Sequence, residues 1–509
     1  MDINITKHRI KTEESLFCES AEVPFESTIT TVNSSGIRRI LKCCHKASVT
    51  SKNASDRTVT VEGTVMICVI YLDEDNCIHS AEHAVPYTKV IEADKDLNMG
   101  EVWAEITDEK ASCKICDNGI SVSGTLCLSV CVKTFTENEV ICDIDCKSIE
   151  QLSSLTGVTL PMGRGEKNLI VEEEISVGNG QPSVEHLIRQ NACAVVDEVK
   201  IISGKVMVKG TVKVYVLYLP EESTRPQSFE DSFPFSQLVD VDGVTDDCKC
   251  DCKATVLFCD LTPRVSNDDD IRAFAVAIKL NVSVKAYCDS DIPVILDAYS
   301  TSGGCRVERN EILFKKIQEN VNERFITKKN LEFTDGAIGS VIDMWCEIKN
   351  ASYKFENKTL KISGTITVNL LAFDCDGVPA CYERPIDFEY IYTPKAELSS
   401  PSAVFNMTVA HCSYTITGAN TLSVAVEPQV EATIYDNIKR LVLTDLAKDD
   451  SVEDKVSRAS SIVLYFAEAG EAIWDIARRY NSSVKEIKEL NMVADDVLKE
   501  NRKFIIPTK

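Results

Sequence analysis

The sequence predicts a mainly β chain: three repeated antiparallel β-rich domains, each with a short helix, followed by a small C-terminal βααβ module. Three observations carry this. A Gly-Thr strand pattern occurs three times at a spacing of about 150 residues, the mark of a duplicated unit. The apolar residues around it alternate with period two, as a pleated strand requires. The final segment abandons that alternation for a helical period.

The first copy of the pattern is Val59-Thr-Val-Glu-Gly63-Thr64-Val65-Met-Ile67-Cys-Val69-Ile-Tyr71. The second surrounds Gly210 and Thr211 and ends at Tyr218, and the third surrounds Gly364 and Thr365 and ends at Ala372. In each, apolar residues, many of them β-branched, occupy every second position after the Thr, which favours a strand. The opposite face is mixed early (Met66, Lys213, Thr367) and apolar late (Ile70, Leu217, Leu371). Each strand should therefore be solvated at its start and covered on both faces near its end.

Upstream, apolar residues recur at identical offsets from the glycine: Ile37, Ile40 and Leu41; Val184, Leu187 and Ile188; Ile338, Val341 and Ile342. The i, i+3, i+4 spacing is one face of a helix, and Ser34-Ser35-Gly36 or Pro182-Ser183 before it suits a helix start. A short helix is expected there in every copy. Downstream, Val85-Pro-Tyr87, Phe233-Pro-Phe235 and Ile386-Asp-Phe388 read as shorter strands. Alternating runs over Ile120–Val132, Ala273–Tyr287 and Ser413–Ile434 read as closing strands. The expected boundaries are 1–160, 161–310 and 311–445 for the three copies, 446–460 for a charged linker, and 461–509 for the last module.

Composition bounds the function. The chain has 509 residues, 44% hydrophobic and 26% charged, enough for several cored domains. Its 55 Lys+Arg against 79 Asp+Glu give a net charge of −24, which repels phosphate backbones and anionic membranes, so no nucleic-acid partner is expected. The apolar run Val65–Leu72 is far short of the ~20 residues a bilayer needs, so no membrane span is expected. Met1–Phe17 lacks an apolar h-region, so no secretory signal is read there. The chain contains no G-x-x-x-x-G-K-[ST], H-E-x-x-H or G-x-S-x-G motif and only 6 His, so neither an enzyme nor a cofactor is expected. The acidic runs Asp268–Asp270 and Glu172–Glu174 read as solvated faces.

The 22 Cys are the strongest rival signal. Cys113-Lys-Ile-Cys116 is a C-x-x-C, and Cys248, Cys250 and Cys252 fall on one face of an extended stretch, while Cys77, His79 and His83 offer further ligand types. Zinc knuckles come as two such pairs at set spacing, and only one C-x-x-C is present, so no metal is expected. Cys68, Cys127 and Cys288 lie in apolar strands, where a thiol acts as a small hydrophobe. Unpaired structural thiols, later disulfide cross-linking and metal binding all stay open.

The last module reads element by element. Ile462-Val-Leu-Tyr-Phe466 is a strand and Gly470 a turn. Ile473, Trp474, Ile476, Ala477 and Tyr480 form a helical stripe that Asn481 can close. Ser483-Val-Lys-Glu486 has the form of a capping box before a second stripe at Val484, Ile487 and Leu490. Phe504-Ile-Ile506 closes the sheet.

These residues resemble a LysM domain, on Tyr465, Gly470-Glu471-Ala472-Ile473-Trp474, Ile476 to Tyr480, Leu490-Asn491 and Ile505-Ile506-Pro507. The resemblance implies a glycan groove at Gly470, Glu471, Ala472 and Asn501. Two positions depart from it: Ala472 stands where the family has Thr, and Glu500-Asn501-Arg502 where it has Pro-Gly-Gln. If Tyr465 and Ala467 face the core, Ile462, Leu464 and Phe466 face outward, and an open apolar face marks an interaction site. With Ile473 and Trp474, these are the expected partner-binding residues.

The repeats resemble SPOCS domains, and SPOCS repeats ending in LysM resemble the SipL-like spore coat morphogenetic proteins. That resemblance implies a non-enzymatic scaffold in the mother-cell cytoplasm, recruited to the forespore surface and the spore coat. Its LysM domain would contact the coat-morphogenetic ATPase, and its repeats would recruit other coat proteins. The alternative it leaves is peptidoglycan binding in cortex or wall.

Overall fold

The structure, a computed structural model, describes residues 3–30, 36–98, 100–117, 119–178, 180–202, 204–221, 223–265, 270–333, 338–418, 420–449 and 461–508. Ser34, Ser35, the first two residues of the 268–270 acidic run and residues 450–460 of the expected linker lie outside them.

Copy 1 is built from β1 (Asn4–Ile29), β2 (Arg39–Ser55), β3 (Thr58–Leu72), β4 (Ile78–Glu92), β5 (Glu101–Cys116) and β6 (Gly119–Asp145). They form two antiparallel sheets, ordered β2-β3-β4 and β1-β6-β5. Copy 2 repeats the plan with β7 (Ile149–Ser176), β8 (Val184–Ile202), β9 (Lys205–Pro220), β10 (Gln227–Asp240), β11 (Lys249–Val265) and β12 (Ile271–Ser300), as β8-β9-β10 and β7-β12-β11. Copy 3 does so with its first strand divided into β13 (Gly304–Arg324) and β14 (Thr327–Glu332). Its β15 (Ile338–Glu356), β16 (Thr359–Asp374) and β17 (Pro379–Tyr392) form one sheet, and β18 (Pro401–Gly418) joins β13 and β14 on the central β19 (Thr421–Asp449). The alternating residues of the two sheets in each copy meet in one core.

The repeated glycine has a steric cause. Gly63, Gly210 and Gly364 lie directly opposite Tyr87, Phe235 and Phe388 on the next strand. A Cβ on Gly210 would strike the Val195 carbonyl and the Phe235 ring. On the other side the preceding strand bulges, with register shifts at Val49/Ser51, Val196/Glu198 and Lys349/Ser352. The aromatic ring lies over the space that the missing side chain leaves, which restores packing at a strand glycine.

The expected short helices are absent. Residues 39–41, 184–188 and 338–342 are strand. β-Bulges explain the misleading period, because an extra residue shifts the alternation by one. Register shifts fall at Ile40/Lys42, Leu187/Arg189 and Val341/Asp343, with an earlier one at Val184/His186 and Ile338/Ser340. Ile37 and Ile40, Val184 and Leu187, and Ile338 and Val341 therefore share the sandwich core of their copies. The bulged Leu41, Ile188 and Ile342 face a different cluster.

That cluster joins the copies. Ile70 and Leu72 of copy 1, Ile188 and Leu217 of copy 2, and Trp345 and Leu371 of copy 3 pack together. It covers the second face of β3, β9 and β16 at their ends, where both faces are buried. Lys42, Arg189 and Asp343 hold the same offset from their glycines and point into this junction. Arg189 Nη1 lies 2.8 Å from Asp343 Oδ2, and Tyr215 donates to Asp343 Oδ1 at 2.8 Å. Lys42 donates to Asn369 Oδ1 at 2.8 Å and pairs with Glu383. The Arg189 guanidinium also lies 4.3 Å from the Trp345 ring centroid.

A second junction lies along the long strands. The pairs β1–β6, β7–β12 and β13–β19 continue past their sandwiches as two-stranded arms. Ile10 and Val140, Ile292 and Val294, and Phe314 and Val442 bury one shared cluster, and Ile141, Ile295 and Leu443 belong to another. The copies thus pack around a common axis. These arms move the expected boundaries. β7 pairs with β12 from Ile149, so 149–160 belong with copy 2; β13 pairs with β19 from Gly304, so 304–310 belong with copy 3. Leu446–Asp449 extend β19 and are not linker.

Candidate functional site

The C-terminal module consists of β20 (Ser461–Ala467), α1 (Ile473–Arg479), α2 (Val484–Asn491) and β21 (Arg502–Thr508). β20 and β21 pair antiparallel, with Leu464 opposite Ile505. Ile473, Ile476 and Ala477 bury one face of α1 against Ile487, Phe504 and Ile506. Gly470 turns the chain at φ +93°, a left-handed conformation that costs a glycine little. Asn481 follows α1 at φ +49° and donates its N–H to the Arg478 carbonyl. Ser483 takes the N-cap position of α2 without a side-chain cap bond, so the capping box read from sequence is not formed through its hydroxyl.

Asn491, not Leu490, closes the core on α2. Its Nδ2 donates to the Ile487 and Ile505 carbonyls at 2.8 and 2.7 Å, and its Oδ1 accepts from Ile505 N–H at 2.7 Å. Leu490 is exposed. The amide clamps helix to strand through backbone groups, which apolar periodicity does not register.

The five expected partner-binding residues separate into two groups. Ile462, Leu464 and Phe466 are 70%, 57% and 65% exposed and, with Ile505 across the ladder, form one outward apolar face. Ile473 has no exposed surface, because the α1 period turns it into the core, and so it cannot touch a partner. Trp474 faces the body of the protein. Its indole Nε1 donates to Asp297 Oδ2 at 3.0 Å, and its ring meets Tyr299 edge-on at 5.0 Å. Arg478 Nη1 reaches the same carboxylate oxygen at 2.8 Å, Arg309 holds the other, and Tyr299 donates to the Ser482 carbonyl at 2.6 Å. Asp297 and Tyr299 lie at the end of the copy 2 arm, so this contact seats the module on the body. Sequence reasoning missed the seat, because an Asp and a Tyr in an ordinary strand carry no signal of what they meet.

The expected glycan-groove residues occupy two loops that bond to each other. Gly470 N–H donates to Leu498 O at 2.8 Å, Leu498 N–H donates to Glu471 O at 3.0 Å, and Ala472 bridges Val497. Asn501 Oδ1 accepts from Ala469 N–H at 2.8 Å. Glu471 accepts from Glu468 N–H and from the Tyr465 hydroxyl, and these bonds hold its carboxyl below the usual range. Much of the polar capacity of this groove is used within the module.

The candidate metal ligands do not converge as the sequence grouped them. Cys250 and Cys252 pack on the copy 2 core with Cys248. His79 bonds Asp73 at 2.9 Å and stacks on His186. Among the described residues, the ligand-type cluster is Asp247, Cys248 and Cys288, with donor atoms within 4.8 Å of one another.

The SipL SPOCS domain matches residues 36–114 and 183–263, which are β2–β5 and β8–β11, and the LysM domain matches residues 468–507. The chain carries SPOCS domains and ends in a LysM domain. No curated protein and no solved structure matches it. The third SPOCS-like copy presents the same strands in the same order over β15–β18. Among the described residues no helix is long and apolar enough to cross a membrane. Together the domains fit a sporulation- and coat-associated protein with a LysM binding module.

Proposed function

We propose that this chain is a non-enzymatic scaffold of spore coat assembly. Its LysM domain docks onto a protein at the forespore surface, the coat-morphogenetic ATPase that SipL-like proteins imply, and its SPOCS copies recruit other coat proteins. The chain would act in the mother-cell cytoplasm and be carried to the forespore by that contact.

The observation behind this reading is the outward face of β20 and β21. Ile462, Leu464, Phe466 and Ile505 stay exposed while the module is seated through Trp474, Arg478 and Ser482. Apolar side chains grouped on one sheet face favour a protein partner. Full-length chain carrying Leu464→Asp should lose capture of the purified ATPase and keep its thermal midpoint, because Leu464 is exposed. Wild-type capture by a folded Leu464→Asp chain removes this face from the reading.

A second reading, peptidoglycan binding, rests on the LysM match itself. Retention of the chain on purified peptidoglycan, abolished by Asn501→Ala and not by Leu464→Asp, would select it.

A further inference from the structure

The thiols of copy 2 suggest chemistry that the docking reading does not use. Cys248 ends the turn between β10 and β11 and is 8% exposed. Lys249 pairs with Tyr287 in the β11–β12 ladder, so Cys248 and Cys288 are the next facing positions. Their sulfurs lie 2.8 Å apart. Two thiolates sharing a tetrahedral zinc sit roughly 3.7 Å apart, from Zn–S bonds of about 2.3 Å. A disulfide needs S–S of about 2.05 Å. The geometry is thus nearer to a covalent bond than to a metal pair, although the Asp247 carboxylate is close.

The two thiols are also unequal. Burial opposes ionisation of Cys248, but hydrogen bonds from Cys288 and from the hydroxyl and N–H of Thr245 outweigh it and hold this thiol below its ordinary value. Burial and the neighbouring Cys248 push Cys288 up to about 12. One sulfur is set to attack and the other to resolve. Thiol pairs in the other copies lie elsewhere, between the two sheets of the sandwich. Cys43 on β2 hydrogen-bonds Cys113 on β5, and Cys346 on β15 hydrogen-bonds Cys412 on the equivalent β18. Cys18 and Cys131 are already joined across β1 and β6.

We infer that Cys248 and Cys288 are a disulfide-forming modification site, oxidised by a small-molecule disulfide. The Cys248 thiolate attacks one sulfur of the reagent, and the reagent's S–S bond breaks to release one thiolate. That thiolate takes the Cys288 proton. The Cys288 sulfur then attacks Cys248, forming the protein disulfide and expelling the second reagent thiolate, which takes up the proton that Cys248 gave to solvent. Two protein thiols are oxidised and one reagent disulfide is reduced to two thiols. The bond fixes the turn before β11 to the central strand of its sheet.

The test uses the full chain, first reduced, then held with excess oxidised glutathione, quenched in acid, alkylated and mapped by mass spectrometry. The expected result is a linked peptide pair containing Cys248 and Cys288, with loss of both from the alkylated pool before Cys250 or Cys252 is lost. Cys250→Ser should leave the link unchanged, and Cys288→Ser should leave Cys248 as a mixed disulfide with glutathione. Three results would overturn the inference. One is full alkylation of both thiols while exposed Cys116 and Cys375 are oxidised. Another is preferential pairing of Cys288 with Cys250 or Cys252. The third is one equivalent of zinc that survives dialysis in the wild type and is lost in Cys288→Ser.

Discussion

Replacing Asp297 by Ala tests how the LysM domain is held on the SPOCS body. Asp297 is buried and accepts from Trp474 Nε1 at 3.0 Å and from Arg478 at 2.8 Å. A hydrogen bond to a charged group contributes about 1.5–3 kcal/mol. Arg478 keeps almost half of its side chain in water when seated, so its bond counts for the ~0.5–1 kcal/mol of an exposed ion pair. The seat should lose about 2–4 kcal/mol, roughly 30- to 900-fold in the docked-to-undocked ratio. The Trp474 indole proton reports this directly. In chain labelled with 15N-tryptophan, three indole resonances are expected, and Trp474→Phe assigns one of them. Exchange of that proton with water should accelerate by the same factor in Asp297→Ala and by about tenfold or less in Asp297→Asn, which keeps an acceptor. The Trp103 and Trp345 indoles act as internal references. Equal Trp474 exchange rates in wild type and Asp297→Ala would refute the seat, whatever the variant did to global stability.

Other expectations follow from the packing and the charges. Gly210→Ala should destabilise copy 2 by more than about 2 kcal/mol, because the added methyl meets the backbone carbonyl of Val195 as well as the Phe235 ring; adding Phe235→Leu should not rescue it in a urea melt. Asp343→Ala strips Arg189 and Tyr215 of their shared partner in the junction, and leaving a buried cation unpaired costs about 3–5 kcal/mol, visible as a lowered thermal midpoint that Asp343→Ala/Arg189→Leu partly restores. Glu13 links copies 1 and 2. Burial opposes its ionisation, but Arg164 and Lys133 outweigh that and lower its pKa. Its contribution is therefore present above the ordinary carboxylate range and lost as pH falls through the lower folded value. The gap in thermal midpoint between wild type and Glu13→Gln should be full at pH 7 and close below about pH 4. A gap that is unchanged at pH 3 would mean that the Glu13 charge does no work at this boundary.

The features legible in the sequence are those that a local rule fixes. The Gly-Thr strands announce themselves by period two, and their glycines by recurrence, although the reason for the glycine (an aromatic ring across the ladder) needed the register. The missing helices show where local reading breaks down. Val184 and Leu187, like Ile338 and Val341, recur at i, i+3 because a bulge lies between them, and a bulged strand and a helix turn can present the same spacing. Only the pairing partner, Leu217 for Arg189 and Tyr218 for Leu187, distinguishes them. The LysM domain was legible because its helices obey the 3.6 period. The seat was not, since Trp474 and Asp297 are far apart in sequence.

The junction between copies shows why three similar sequences were retained as different ones. Lys42, Arg189 and Asp343 occupy one position of the repeat, and on its own each reads as an unremarkable polar residue before a strand. Around the axis they meet unlike groups: Lys42 finds Asn369 and Glu383 of copy 3, while Asp343 takes Arg189 and Tyr215 of copy 2. Three identical copies would place three like charges, with three like partners, around the same apolar cluster. Divergence at this position leaves one anion among two cations and gives Lys42 and Arg189 distinct partners in copy 3. It also fixes the order of the copies around the axis, because a copy moved to another place would bury a charge without its partner. The fold of each repeat copy is written in its apolar period. The assembly of the three is written in the few charged positions where the copies disagree.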